Sequence, residues 1–222
     1  NTLLLTDWMA HTPPDVLAKN FGVPVETFSN IPAYNRWIYQ SEATAPPLGT
    51  VATQIAAAAG APPNPFVFSL SEMPPTKETK SGSVRIVDST NFLVSTTVAA
   101  PLVIVKPGAL REMHWHPNAD EWQYYIHGTG RMTVFNTGPQ AMTANFRAGD
   151  IGYVKKALGH YVENTGTTEL VMMEVFRADR FEEVGLSDWL THSPPQMVAE
   201  TLNLDASVIA QFPQNRPDIV PV

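Results

Sequence analysis

The chain has 222 residues, 44% of them hydrophobic and 16% charged, enough for one domain with appendages or two small domains, and enough to bury a core. Lys and Arg number 14 against 21 Asp and Glu, a formal charge of −7, which argues against a nucleic-acid partner because no basic surface awaits a phosphate backbone. The absence of cysteine removes disulfides, thiolate nucleophiles and Cys-ligated metals, so any metal must be held by His and carboxylate.

In chain order the first elements are short helices. Thr6-Asp7 reads as the cap of one, Pro13-Pro14 starts a second, and a third helical stretch closes at Pro32. The plan returns near the other end. Thr6-Asp7-Trp8-Met9-Ala10-His11-Thr12-Pro13-Pro14 aligns with Ser187-Asp188-Trp189-Leu190-Thr191-His192-Ser193-Pro194-Pro195 at an offset of 181 residues. The register continues without a gap through Ala18 and Ala199, Phe21 and Leu202, Val23 and Leu204, Phe28 and Ile209, and Pro32 and Pro213. Similarity held in register that long marks a tandem repeat. Residues 1–45 are therefore read as the helical tail of a preceding unit, and 186–222 as the tail of the unit between the two copies.

Residues 46–65 are rich in Ala and Pro and read as a linker with one Ala-rich turn of helix. The longest apolar stretch, 51–61, is too short to span a bilayer. From 66 to 185 the texture becomes β-branched and aromatic, with runs at 84–87, 95–105, 122–126, 131–135, 151–154 and 170–176. Turn signals at Pro107-Gly108, Pro117-Asn118, Gly128-Thr129-Gly130, Thr137-Gly138-Pro139 and Gly149-Asp150 punctuate them. Many short strands at near-regular spacing predict an all-β sandwich or barrel with helical appendages.

Of the six histidines, His11 and His192 hold equivalent positions in the repeat, which suggests one capping or packing task done twice. His114 and His116 are two apart, so on a strand both imidazoles share a face. The turn after Pro117 delivers Glu121 beside them, and His160 follows in a later strand. Two histidines on a strand are more often packed or exposed than ligating, but with Glu121 and His160 the four make a site for a divalent first-row metal. His127 lies too far along its strand to join them and reads as a strand-end residue.

Gly108, His114, Trp115, His116, Glu121 and Gly128 fall at every fixed position of the first cupin motif. Gly149, His160 and Asn164 meet the second, with Lys155 and Ala157 where that pattern usually has Pro and Gly. The run from Pro107 to Ile126, together with Asp88-Ser89-Thr90-Asn91-Phe92, Gly159-His160-Tyr161-Val162-Glu163-Asn164 and the Asp-Trp-Leu tail, resembles the second half of the bicupin oxalate decarboxylases. The resemblance implies a cupin (double-stranded β-helix or jelly-roll) barrel over 66–185, a manganese ion on His114, His116, Glu121 and His160, and conversion of oxalate to formate and carbon dioxide. It further implies partnership with a missing N-terminal cupin half and a homo-oligomer; no membrane partner is expected, since the longest apolar stretch is too short to span a bilayer. The expected location is extracellular, by secretion.

The resemblance also makes Arg111 the guanidinium beside the metal, where its planar fork would bind a carboxylate bidentately. Strand parity alone would put Arg111 and His114 on opposite faces, so an irregularity is expected near Pro107-Gly108. Glu174, inside a run apolar on both faces, is expected to be buried. It then serves as a proton donor or acceptor, or as a structural carboxylate bonded near the metal or to Arg111. In the family the first half carries a mobile Ser-Glu-Asn loop shortly before the segment that starts here at Thr6. Asn1 is then expected to be that loop's last residue, left by cleavage or truncation. The corresponding stretch of this half, 178–182, lacks the sequence, which makes Glu182 a weak catalytic candidate. The rival readings are oxalate oxidase, with the same ligands, and a non-catalytic storage or binding cupin, many of which lose the ligands that this chain keeps.

Overall fold

A computed structural model of the chain describes residues 4–34, 38 and 43–221; Asn1 lies outside the described residues. The chain divides into two compact units, residues 1–61 and 62–222. In the first, α1 (Leu5–Ala10) and α2 (Pro14–Phe21) are followed by a 3₁₀ turn, Val25–Phe28, and by α3 (Leu48–Ala59). Helix α2 begins with Pro and ends at Gly22 in the left-handed region (φ 65°), each in the position that its backbone suits. Two sequence expectations need correction. Thr6-Asp7 does not cap α1: Leu4 holds that place without a side-chain bond, and Asp7 sits in the first turn, where its charge favours the helix dipole. The segment expected as a linker with one helical turn forms the 12-residue α3, because its alanines have the highest intrinsic helix propensity.

The second unit is built on two sheets. One has the order β1-β2-β3-β10-β5-β8, from β1 (Lys77–Thr79), β2 (Gly82–Val87), β3 (Ala100–Val105), β5 (Glu121–His127), β8 (Ile151–Val154) and β10 (Leu170–Phe176). The other has the order β11-β4-β9-β6-β7, from β4 (Ala109–Trp115), β6 (Thr129–Phe135), β7 (Ala141–Arg147), β9 (His160–Asn164) and β11 (Val184–Gly185), with β12 (Ile219–Pro221) also on β4. Burial alternates strictly along β3, β9 and β10, as expected of strands with one face inward. The inward faces meet in a core of Val84, Val103, Val105, Tyr125, Met132, Val162, Leu170 and Met172 among others. At the end where β4 passes to β5 and β10 ends, Phe176, Ala99 and Ala119 form a second cluster under Phe181.

Helices α4 (Leu186–Thr191), α5 (Pro195–Leu202) and α6 (Ala206–Ile209) follow β11. They repeat the first unit's hairpin in detail. Val198 and Ala199 are buried as Leu17 and Ala18 are, and Asn203 takes the left-handed place of Gly22 (φ 52°). The Nδ1–H groups of His11 and His192 reach the carbonyls of Asp7 and Asp188 at the same 2.8 Å. As in α1, the Ser187-Asp188 pair lies inside the first turn and Gly185 holds the cap position. Trp189 stands edge-on to Trp115 of β4, ring centroids 5.9 Å apart, so this tail tryptophan meets its own barrel.

Candidate metal centre

Each of the four expected ligands is placed by a strand end. His114 lies on β4 directly opposite His160, the first residue of β9, and His116 follows β4 immediately. Glu121 opens β5, paired with Phe176 at the end of β10. All four are 3% exposed or less, and one ligand atom from each lies within 4.8 Å of the others. His127, by contrast, ends β5 exposed, its Nδ1–H on the Glu169 carbonyl.

The imidazoles are oriented from behind. The Nδ1–H of His114 donates to the carbonyl of Glu112 (2.6 Å), that of His116 to Glu182 (2.8 Å) and that of His160 to Leu158 (3.0 Å). A carbonyl only accepts, so each Nδ1 carries a proton and each Nε2 is the ring nitrogen left facing the cluster. These three Nε2 atoms and Oε2 of Glu121 are buried and have no hydrogen-bond partner among the described residues. Oε2 of Glu121 stands 2.7 Å from His160 Nε2 and 3.2 Å from His116 Nε2. Three imidazole nitrogens and a carboxylate oxygen converging in this way make a donor set that suits a divalent transition metal.

The electrostatics differ among the ligands. Burial, and then Arg111, hold His114 well below the usual histidine range, which favours the neutral form that binds metal, whereas at His160 burial is outweighed by the Glu121 carboxylate, which raises that imidazole above the usual range. Burial works against the Glu121 charge, yet His160 and His116 outweigh it and keep the carboxyl well below its usual range. The other oxygen of Glu121 accepts from the amide of Gln123 (2.6 Å), whose carbonyl oxygen accepts from the Tyr125 hydroxyl (2.8 Å). Gln123 and Tyr125 are fully buried. They escaped the sequence reading, although both share strand parity with Glu121.

Arg111 is buried, 1% exposed. The irregularity that brings it inward is not near Pro107-Gly108, as expected, but between Arg111 and His114, where the β4–β9 register shifts. The extra residue leaves Arg111 and Glu112 both buried, Met113 exposed and His114 buried again. Nor is the guanidinium fork open. Its Nη2 is paired with Glu183, its Nη1 donates to the Asp218 carbonyl (3.2 Å), and Nε–H has no partner among the described residues. Glu174 is 1% exposed on the inward face of β10, and neither of its oxygens has a hydrogen-bond partner among the described residues. Burial first, and the Glu121 charge second, push its carboxyl well above the usual range, against the pull of Arg111. Glu182 is exposed and contributes its carbonyl to His116. The segment 177–183 closes over this end: Phe181 packs its ring on His116 (5.3 Å) and Phe176 (5.3 Å), and its amide bonds Asp88.

Several known proteins are similar to this chain. The oxalate decarboxylase OxdC of Bacillus subtilis (strain 168) is 47% identical over 205 residues, 92% of this chain and 52% of that protein. A probable oxalate decarboxylase of Arthroderma benhamiae is 40% identical over 221 residues, 99% of this chain and 54% of that protein. A solved structure of the Bacillus subtilis oxalate decarboxylase, from work on its Mn(II) centres, superposes with a TM-score of 0.89 at 43% identity, covering all of this chain and 58% of that one. The chain spans about half the length of the curated relatives it matches. The family described as Cupin is matched over residues 68–210, and with the two-sheet barrel and its cluster of three histidines and a glutamate on the page, the chain belongs to the cupin family.

Proposed function

We propose that this chain is the second cupin unit of a manganese-dependent oxalate decarboxylase, acting together with a preceding unit of the same kind. The observation that carries the reading is the set of four buried ligand atoms that converge without hydrogen-bond partners while every Nδ1 is already bonded. His114, His116, Glu121 and His160 would hold Mn2+, which supplies a Lewis-acidic, redox-capable centre to which oxalate can bind. The relatives that carry the name oxalate decarboxylase support the substrate.

The chain's own residues then have defined tasks. The reaction breaks the carbon–carbon bond of oxalate, releases one half as carbon dioxide, and takes up one proton on the carbon of the other half to give formate. Arg111 supplies a buried, permanent positive charge against the substrate carboxylate. Glu174, with no hydrogen-bond partner among the described residues and its carboxyl pushed upward by burial and then by the Glu121 charge, is the group to hold a proton at a carboxyl oxygen and donate it to the formate carbon. The apolar cluster of Phe176, Ala119 and Phe181 excludes water.

Association with another cupin unit rests on two observations. The helical hairpin occurs twice, which calls for a second barrel like this one. The outer face of β5 and β8 also presents Trp122 beside Tyr153 and Tyr124 beside Ile151, all 41–53% exposed, an apolar patch of the kind that assembly covers.

The deciding experiment measures products from oxalate and bound metal in the same sample, for this chain with and without its upstream unit. Formate with about one Mn2+ per site is the expected result. Hydrogen peroxide in place of formate identifies an oxidase, and no turnover with far less than one metal per site identifies a non-catalytic cupin. Formate from this chain alone, lost in Glu174→Gln, assigns turnover to this metal centre. Formate only with both units makes it a supporting site.

A further inference from the structure

Four charged groups lie together beside the metal cluster, on segments far apart in sequence. Arg111 is on β4, Lys77 on β1, Glu183 at the end of the segment that closes over the site, and Asp218 just before β12. Arg111 is paired with Glu183, and its Nη1 is 3.7 Å from the Asp218 carboxylate and 3.2 Å from the Asp218 carbonyl. Lys77 Nζ bridges the two acids, 2.7 Å from Glu183 Oε1 and 2.7 Å from Asp218 Oδ2. The Asp218 carbonyl also accepts from the Glu112 amide at 2.7 Å, inside the register shift that turns Arg111 inward. The acids are 13% and 15% exposed, against 43% for Lys77, so the network runs from the surface to a guanidinium with almost no solvent.

We infer that Glu183 and Asp218, tied to each other through Lys77, are positioning residues for Arg111: each engages one of its terminal nitrogens, and they leave Nε, the guanidinium nitrogen with no partner among the described residues, on the edge that meets a substrate carboxylate. This deepens the proposed function and rests on its assignment of Arg111. A guanidinium offers five N–H donors in a fixed plane. With each Nη engaged by the protein, the plane is held in one orientation, and the reacting anion meets the Nε–H edge in a set direction. Two further features follow from the residues involved. Both acids lie next to short strands on the edge of β4, β11 after Glu183 and β12 after Asp218, so the pairing of the tail with β4 sets the position of the arginine. Lys77 sets a second cation against the two acids, while burial first, and the Glu183 charge, push the Asp218 carboxyl above its usual range against the pull of Arg111.

The test has a spectroscopic arm and a kinetic arm. In the metal-free chain, the Arg111 Nε–H resonance is identified by nitrogen-15 NMR as the cross-peak lost in Arg111→Lys. It is then followed in Glu183→Gln, Asp218→Asn and, as a variant at the exposed end, Lys77→Met. The expected result is a protected Nε–H in the wild type whose hydrogen exchange quickens at least about tenfold in Glu183→Gln and Asp218→Asn, with the thermal midpoint held within a few degrees by these near-isosteric changes. Should either acid variant fail to fold, Lys77→Met gives the same reading from outside the buried part. An Nε–H unchanged in shift and exchange in every folded variant overturns the inference. In the manganese-loaded protein assayed with its upstream unit, loss of positioning raises KM for oxalate about 10- to 100-fold with a smaller change in kcat. A merely structural role would instead lower the folded, metal-loaded fraction and leave KM unchanged, which also overturns it. If Arg111→Lys retains full turnover while the NMR result holds, the role of Arg111 in the proposed function fails and the positioning of its side chain stands.

Discussion

The bond between Gln123 and Glu121 allows a quantitative test of how the centre is supported. Gln123→Met keeps the volume and removes both hydrogen bonds, leaving one oxygen of Glu121 and the Tyr125 hydroxyl buried without partners. A lost bond to a charged acceptor contributes about 1.5–3 kcal/mol and a buried orphaned hydroxyl about 1–3 kcal/mol, so the metal-free chain should lose about 3 kcal/mol after relaxation. Urea unfolding of the metal-free protein measures this. Competition with a fluorescent chelator should then show Mn2+ bound about 10- to 100-fold more weakly, the usual cost of removing the group behind a ligand. Tyr125→Phe removes the hydroxyl and leaves the Gln123 oxygen unpaired. The double variant should therefore cost less than the two singles combined, because the orphaned hydroxyl no longer exists. Stability within about 0.5 kcal/mol of wild type together with unchanged Mn2+ affinity would refute the reasoning.

Ala157 has a backbone φ of 63° where its motif usually has Gly, and Ala157→Gly should stabilise the protein by about 0.5–1 kcal/mol by relieving left-handed strain; an unchanged or lower unfolding midpoint counts against it. Asp88 accepts from the Thr90 hydroxyl and amide and from the Phe181 amide. Burial opposes its charge, but these bonds outweigh it and hold the carboxyl below its usual range. A lowered acid adds stability above its unfolded-state range and loses it as pH falls through the folded-state range. The advantage of wild type over Asp88→Asn, about 1–2 kcal/mol at neutral pH, should thus shrink on acidification, and a gap that stays constant down to acid unfolding rejects it. Finally, Mn2+ at about 100 times its dissociation constant should stabilise the chain by about 2.7 kcal/mol, an effect that His160→Ala should abolish in calorimetry with and without chelator.

Spacing carried much of this structure, and the reasons are local. His114 and His116 had to share a face, and Glu121 and His160 had to begin strands after turns, because side-chain parity and turn residues act over a few positions. The repeat fixed six helical segments in register for the same reason. What stayed hidden depends on long-range pairing. The shift that turns Arg111 inward arises where β4 meets β9 and the strands that flank the tail, and no single stretch of chain encodes it. Lys77, Glu183 and Asp218 look like ordinary surface charges until the fold brings them to one guanidinium. The helix α3 was underestimated because Pro at its flanks suggested extended linker, whereas Pro47 serves as its N-cap residue.

The three carbonyls that hold the imidazoles are not equivalent in origin. His114 and His160 each lean on a residue two positions earlier in the same chain segment, whereas His116 leans on Glu182, 66 residues away in the segment that closes over the site. Two ligands are thus carried by their own strands and one is fastened by a clasp. A change within 177–183 therefore bears on His116 first among the four, while His114 and His160 keep partners supplied by their own strands.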